Sequence, residues 1–205
     1  MFLSTIAGGK GEDAVLRTMF EARKRVFIDL LGWDVPVLAG RYEIDQFDDE
    51  HAAYLVLTDD RGRHLGSARL LETERPHILD TLFPMLSEFP VPRGPHIREI
   101  TRFCLDPLQG ASNRRITRDT LVRALADHAL ANGIAHYTGV AELGWLRQIL
   151  RFGWECAALG MPRAIGTSVL GALQIHVTPE TPALLAAAGI APGTTVQPRA
   201  ARHAA

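Results

Sequence analysis

The 205-residue sequence predicts a single-domain α/β fold, a mixed twisted sheet flanked by helices. Two observations lead there. Segments rich in β-branched residues with period-two alternation take turns along the chain with segments whose apolar residues recur at helical spacing. In addition, 47% hydrophobic and 22% charged residues with a net charge of -1 supply enough apolar mass for one substantial core. The same balance excludes a disordered chain and a nucleic-acid binder that relies on a strongly basic surface. The start, MFLSTIAGGKGED, lacks a basic region followed by an apolar stretch, and no apolar run reaches membrane-spanning length, so neither secretion nor membrane insertion is expected. Cys104 and Cys156 lack metal-ligand spacing and read as buried reduced thiols of a cytoplasmic protein.

Phe2 to Ala7 reads as a first strand, ended by Gly8 and Gly9. From Asp13 to Leu31, Val15, Leu16, Met19, Phe20, Val26, Phe27, Leu30 and Leu31 recur at helical spacing, and Gly32 supplies a stop. Trp33 to Glu50 has no period and gathers Glu43, Asp45, Asp48, Asp49 and Glu50, which predicts a long functional loop. Ala52 to Thr58 and His64 to Leu71 form a predicted hairpin around Asp59-Asp60-Arg61-Gly62. Short helical turns broken near Pro84 follow over Ile78 to Phe89, then a strand in HIREITRFCLDP, His96 to Pro107. A helix is expected from about Arg114 to Ala131, capped by Ser112 or Asn113, with Ile116, Leu121, Leu125 and Leu130 inward. A strand over Ile134 to Ala141, a helix over Leu143 to Phe152, and strands over Glu155 to Leu159 and Thr167 to Val177 complete a domain of residues 1–180. Residues 181–205, rich in Ala, Pro, Gly and Thr, read as a weakly ordered tail.

Charged and aromatic residues stand where solubility does not require them. Arg23 and Phe27, four apart, share a helix face with Trp33 just beyond; alone, the segment reads as core aromatics beside a solvated arginine. Asp45 and Asp48, with Glu43, would hold a cation or simply form a solvated acidic loop; the glycine and glutamate offsets of a calcium-binding loop are absent. Arg69, in the middle of a strand, suits a carboxylate partner or a wet sheet face. In HIREITRFCLDP a regular pleat puts Glu99, Thr101 and Phe103 on one side and Arg98, Ile100 and Arg102 on the other. Glu99 and Arg102 serve one site only if the strand is distorted between them.

These segments together resemble the acyl-homoserine-lactone synthases, the autoinducer synthases of quorum sensing, a family similar in fold to the GNAT acyl-CoA N-acyltransferases. The resemblance rests on Arg23-x3-Phe27-x5-Trp33, Glu43-x-Asp45-x2-Asp48, Gly66-x2-Arg69-Leu70 and Glu99-x-Thr101-Arg102-Phe103, in that order, and is looser beyond Cys104. It implies transfer of an acyl group from acyl carrier protein or acyl-CoA to the amine of S-adenosylmethionine, then lactonisation with loss of methylthioadenosine. It implies no cofactor besides these substrates, no metal, and no nucleic-acid or membrane partner. Glu99, Arg102, Asp45 and Asp48 become the expected catalytic set, with Glu99 as general base. Arg23, Phe27, Trp33, Asp45, Asp48, Arg69, Arg102 and Phe103 would bind S-adenosylmethionine, the aromatic faces serving adenine or sulfonium.

Leu82, Phe83, Leu86, Thr138, Val140, Leu143, Leu146, Ile149 and Leu150 are the expected acyl pocket, each also suited to plain core. In the family a hydroxyl residue near Thr138 is linked to 3-oxo acyl chains. Arg114, Arg115 and Arg118 at a helix start, with Arg147 and Arg151, would receive a phosphopantetheine arm and its acidic carrier. Two rivals stand beside this reading. An ordinary acyl-CoA N-acyltransferase would need a glycine-rich pyrophosphate loop, which LQGASNRRIT fits poorly; a non-catalytic sensor of S-adenosylmethionine or acyl thioester would not need both Glu99 and Arg102.

Overall fold

The computed structural model describes residues 1–8, 14–190 and 197–198. In chain order its elements are β1 (Phe2–Ala7), α1 (Ala14–Arg23) continued by a π-helical stretch (Lys24–Leu30), β2 (Val37–Leu38), β3 (Tyr42–Glu43), β4 (Ala53–Thr58) and β5 (His64–Glu72). Next come α2 (Ile78–Thr81), a 3-10 turn (Pro84–Leu86), β6 (Ile97–Leu105), α3 (Ala111–Ala131), β7 (His136–Glu142) and α4 (Leu143–Ile149). The chain closes with β8 (Glu155–Ala158), β9 (Arg163–Ile165), β10 (Ser168–His176), α5 (Thr181–Ala187) and β11 (Gln197–Pro198). Among the described residues no helix is long and apolar enough to cross a membrane.

Chain contacts divide the molecule into two compact units, one of residues 1–69 and 102–121 with β11, the other of residues 70–101 and 122–190. Strands β5 and β6 each contribute to both.

In the first unit, β1 runs antiparallel to β4, Phe2 opposite Thr58 and Ala7 opposite Ala53, and parallel to β11. Leu55, Val56 and Leu57 of β4 are all fully buried, so both faces of this strand are covered. The turn into β5 closes as expected, Gly62 donating its N–H to the Asp59 carbonyl at φ 79°, where a side chain would be strained. Gly66 permits a close approach: a Cβ there would stand 2.8 Å from Thr117 Cγ2 of α3. The helix predicted through Leu31 changes character from Lys24, so that Leu31 N–H reaches back to the Val26 carbonyl instead of to a carbonyl one residue closer. Trp33 to Glu50, expected as an aperiodic loop, contains the β2–β3 hairpin, turned through Ala39 at φ 52° and Gly40 at φ 66°. Helix α3 begins three residues before the expected start. Gly110 supplies the first helical acceptor, to Arg114 N–H, which leaves Ser112 and Asn113 inside the first turn and not at the cap.

In the second unit, β7 pairs in parallel with β6 from Ile97↔His136 to Glu99↔Thr138, and antiparallel with β10 from His136↔His176 to Glu142↔Leu170. Strand β8 lies on the far side of β10, and β9, too short to register as a strand in sequence, pairs with β10 as well. The buried Tyr137 donates its hydroxyl to the Leu125 carbonyl, tying β7 to α3. Of the predicted inward residues of α3, Leu121 and Leu125 are sealed, but Leu130 is exposed and Val122, Ala126 and Ala129 are buried instead. Helical drift of 100° per residue carries position 130 off the inner face. The tail expected from residue 181 opens with α5, whose Leu185 is fully buried; residues 191–196 and 199–205 lie outside the described residues.

His64 of β5 is sealed, with Nε2 2.9 Å from Ser67 Oγ. Burial, and then the positive charge of Arg25, lower its pKa from 6.5 to about 3. As pH falls below 6.5 the unfolded chain therefore binds this proton first, and stability drops by about 1.4 kcal/mol per pH unit on its account. His77, His128 and His136, also lowered by burial, act in the same direction. Urea midpoints measured between pH 7 and 5 should fall steadily, and His64→Gln should flatten that fall by about one proton's share; an unchanged slope would place the effect elsewhere.

Candidate functional site

The first unit buries six charged side chains against one another. Arg23, the last residue of α1, is 1% exposed. Its Nη1 and Nη2 donate to the two oxygens of Asp48, both at 2.8 Å, while Nε donates to Glu43 Oε2. Arg69 of β5 grips Asp45 with Nη1 at 2.6 Å and Nη2 at 3.0 Å, and its Nη1 lies 2.8 Å from Asp48 Oδ1. Arg102 of β6 donates to Glu43 Oε1 from Nη2 at 3.0 Å and to Asp45 Oδ2 at 2.7 Å. Three guanidinium groups thus face three carboxylates in paired, fork-like geometry. Tyr54 of β4 adds its hydroxyl to Asp48 Oδ1 at 2.9 Å.

The electrostatics follow from this closure. Burial works against the charge of Arg23, but Asp48 and Glu43 outweigh it and hold the guanidinium charged. Burial also works against the Asp48 anion, and Arg23 and Arg69 outweigh it, holding that carboxyl well below the usual carboxylate range. Burial and the neighbouring Asp48 push the Tyr54 hydroxyl far above its ordinary value, so it stays a donor.

At the edge of this cluster Phe27 and Trp33 stack with centroids 4.7 Å apart and planes 23° from parallel. The Arg102 guanidinium lies 5.6 Å from the Phe27 ring and 5.7 Å from that of Trp33. The π-helical stretch brings the pair together, Trp33 N–H bonding to the Phe27 carbonyl six residues back. Cys104, Ala22 and Val26 pack behind Phe27.

Strand β6 is distorted between Thr101 and Cys104, although Glu99 and Arg102 take different partners. Its inward residues are Glu99 and Thr101, then Cys104, a step of three where a regular pleat gives two. Arg102 sits at the break with φ 48°, a left-handed conformation unusual for a residue with a side chain. Glu99, in the second unit, is fully buried; its Oε2 accepts the Ile78 N–H at 2.8 Å and its Oε1 the Leu79 N–H at 2.9 Å. Arg98 donates to the Pro95 and Ile97 carbonyls.

A family model described as autoinducer synthase matches residues 10–183. The chain belongs to the autoinducer synthase family. An acyl-homoserine-lactone synthase of Ralstonia nicotianae is 33% identical, over 93% of this chain and 97% of its own. The structure of the CoA-dependent acyl-homoserine lactone synthase MesI superposes with a TM-score of 0.81 at 28% identity, covering 97% of this chain and 99% of MesI. An acyl-CoA N-acyltransferase from Pseudomonas aeruginosa, 14% identical with a TM-score of 0.57 over 85% of this chain and 99% of its own, shares the fold. The activity of this autoinducer synthase is acyl-homoserine-lactone synthesis, an acyl transfer.

Within the synthase the expected acyl-pocket residues separate into two groups. Phe83, Leu86 and Val140 join Leu79, Ala172, Ile165 and Leu170 in one apolar cluster of the second unit. Leu146 and Ile149 are buried on α4, and Leu143 is half-buried, whereas Leu82 and Leu150 are exposed. Thr138 is fully buried, and its hydroxyl has no hydrogen-bond partner. Of the basic residues, Arg114, Arg115, Arg147 and Arg151 are exposed, and Arg118 is half-buried with its Nε on Asp119. Phe103 is half-buried on β6. Two members of the charged cluster escaped the predicted site. Glu43 carried a signal, its place in the spaced acidic motif; Tyr54 reads in sequence as an ordinary strand aromatic.

Removing one cation from the cluster strands buried anions. Arg23→Met should destabilise the protein by about 3–5 kcal/mol in urea unfolding. Tyr54→Phe, which deletes a single bond to a charged acceptor, should cost about 1.5–3 kcal/mol. Equal small losses for both would show that the network does not carry the first unit.

Proposed function

We propose that this synthase acylates the α-amine of S-adenosylmethionine and then closes the lactone, with the charged cluster and its aromatic edge as the acceptor site. The observation that carries the reading is the graded exposure of the cluster. Side chains of Arg23 and Arg69 are 1% and 0% exposed, whereas Arg102 at 9% and Asp45 at 5% form its reachable rim. Arg102 is therefore the arginine offered to the acceptor's carboxylate, and Asp45 the carboxylate offered to its ammonium. The stacked Phe27 and Trp33 present aromatic surface suited to a sulfonium or an adenine ring. Arg23, Glu43, Asp48 and Arg69 hold the rim in place.

In the first step the amine, freed of a proton, attacks the thioester carbonyl; the C–N bond forms, the C–S bond breaks and the thiol leaves with a proton. In the second the acceptor's carboxylate oxygen displaces the sulfonium at Cγ, closing the lactone and releasing methylthioadenosine. The donor is acyl-CoA, which the likeness to CoA-dependent MesI supports, or acyl carrier protein, which the exposed Arg114, Arg115, Arg147 and Arg151 suit. A cytoplasmic setting agrees with the two cysteines, which remain free thiols.

Incubation of the purified protein with S-adenosylmethionine and panels of both thioester types, followed by mass spectrometry, should give a lactone and methylthioadenosine. Free thiol without lactone would assign another acceptor amine. The buried, unpartnered hydroxyl of Thr138 favours a chain with an oxygen at its 3-position, because that oxygen would satisfy it. Thr138→Val should lower the ratio of 3-oxo to unsubstituted turnover about tenfold, the worth of one hydrogen bond. A ratio that stays put would remove Thr138 from chain selection.

A further inference from the structure

We infer that Glu99 is a positioning residue for the acyl-binding segment and not the base that deprotonates the amine. The inference rests on the synthase reading above.

Helix α2 is a single turn, and its first backbone N–H groups have no acceptor within the helix. The residue that should cap it, His77, makes no side-chain bond to the helix. Glu99 does so from 20 residues away: its two oxygens take the Ile78 and Leu79 N–H groups one each, at 2.8 and 2.9 Å, in a fully buried setting. The chain on either side of the segment is tied separately, Thr73 Oγ1 lying within hydrogen-bond reach of the Gly94 and Ile97 carbonyls and accepting the Gly94 N–H. Leu79 is fully buried, and with Leu86 and Phe83 it packs against Val140 on β7. A carboxylate that fixes the amide of Leu79 thereby fixes one wall of the apolar cluster.

The same geometry argues against proton transfer. The anion is the stronger acceptor for both N–H groups, and a proton taken by either oxygen weakens the two bonds that hold the segment. A general base is protonated and released in every turnover, so a base role would loosen this tie in each cycle.

Three variants separate the roles. Glu99→Gln replaces one acceptor by an NH2 group, Ile78→Pro removes one donor while leaving the carboxylate untouched, and Ile78→Val keeps the N–H as a packing control. Proline is compatible with the first helical position, and His77 already has the extended conformation that precedes it. Expected for Glu99→Gln and Ile78→Pro alike are a rise of at least tenfold in KM for the acyl donor, a changed preference among chain lengths and an unaltered pH–rate limb. The double variant should be no worse than the poorer single one, because both cut the same tie. Loss of kcat of ~100-fold or more in Glu99→Gln with every donor equally, disappearance of a pH–rate limb, and an Ile78→Pro enzyme matching Ile78→Val would overturn the inference and restore the base. Amide exchange provides a readout independent of activity. The Ile78 and Leu79 amides should exchange at least tenfold faster in Glu99→Gln, and unchanged exchange overturns the inference. A wild-type protein that makes no lactone would defeat the synthase reading, while the exchange result would still decide whether Glu99 holds this segment.

Discussion

Burying six charges is tolerable only when each one is matched, and the first unit is organised by that condition. An ion moved from water into a protein interior loses several kcal/mol of solvation, and a lone partner rarely repays it. Here Arg23, Arg69 and Arg102 are each shared between two carboxylates, and each carboxylate between two arginines. The members come from α1, the loop around β3, β5 and β6, with Tyr54 joining from β4. No element can shift without opening a buried pair, so the network specifies the arrangement even where apolar side chains of similar volume would stabilise it more. Fixed dipoles of this kind suit a site that must meet a charged substrate without reorganising.

Two backbone irregularities adjoin the network. The π-helical stretch follows directly on Arg23, and the left-handed residue of β6 is Arg102 itself. A non-glycine residue at positive φ costs about 1–3 kcal/mol and persists only where its surroundings over-determine it. The bonds from Arg102 to Glu43 and Asp45 and its place over Phe27 and Trp33 do so. Both irregularities serve orientation: one stacks Trp33 on Phe27, the other turns an arginine of a strand toward them.

How much of this is visible in sequence depends on the kind of interaction. In sequence, a distortion of β6 is tied to Glu99 and Arg102 serving one site. Strand β6 is distorted, with Arg102 at positive φ, but Glu99 bonds the Ile78 and Leu79 amides while Arg102 bonds Glu43 and Asp45, so the shared site is not what the distortion serves. Arg69 in mid-strand, by contrast, does announce a partner. The identity of the partners is not legible. Asp45 and Asp48 look like acidic groups awaiting a cation, and only the fold shows that Arg69 and Arg23 already hold them. Tyr54 is silent because its polar end is a small part of a residue that strands bury anyway. The start of α3 is misplaced because Gly110, a weak signal, wins over Ser112 and Asn113; β9 is too short for any period to show.

Under the proposed role of the cluster as the acceptor site, the saturation of its carboxylates changes how it works. An acidic loop with free charges would draw a cation by net field, acting at long range and falling with salt. A cluster of three guanidinium and three carboxylate groups has no formal net charge to do this with. What it offers is a fixed alternation of sign over a few ångströms at the rim, Asp45 beside Arg102, next to an aromatic face. That pattern matches a ligand carrying ammonium, carboxylate and sulfonium on one short chain, and it rewards correct orientation over mere attraction. For a reaction whose first step needs the amine free and whose second needs the carboxylate aimed at a neighbouring carbon, orientation is the contribution that matters most.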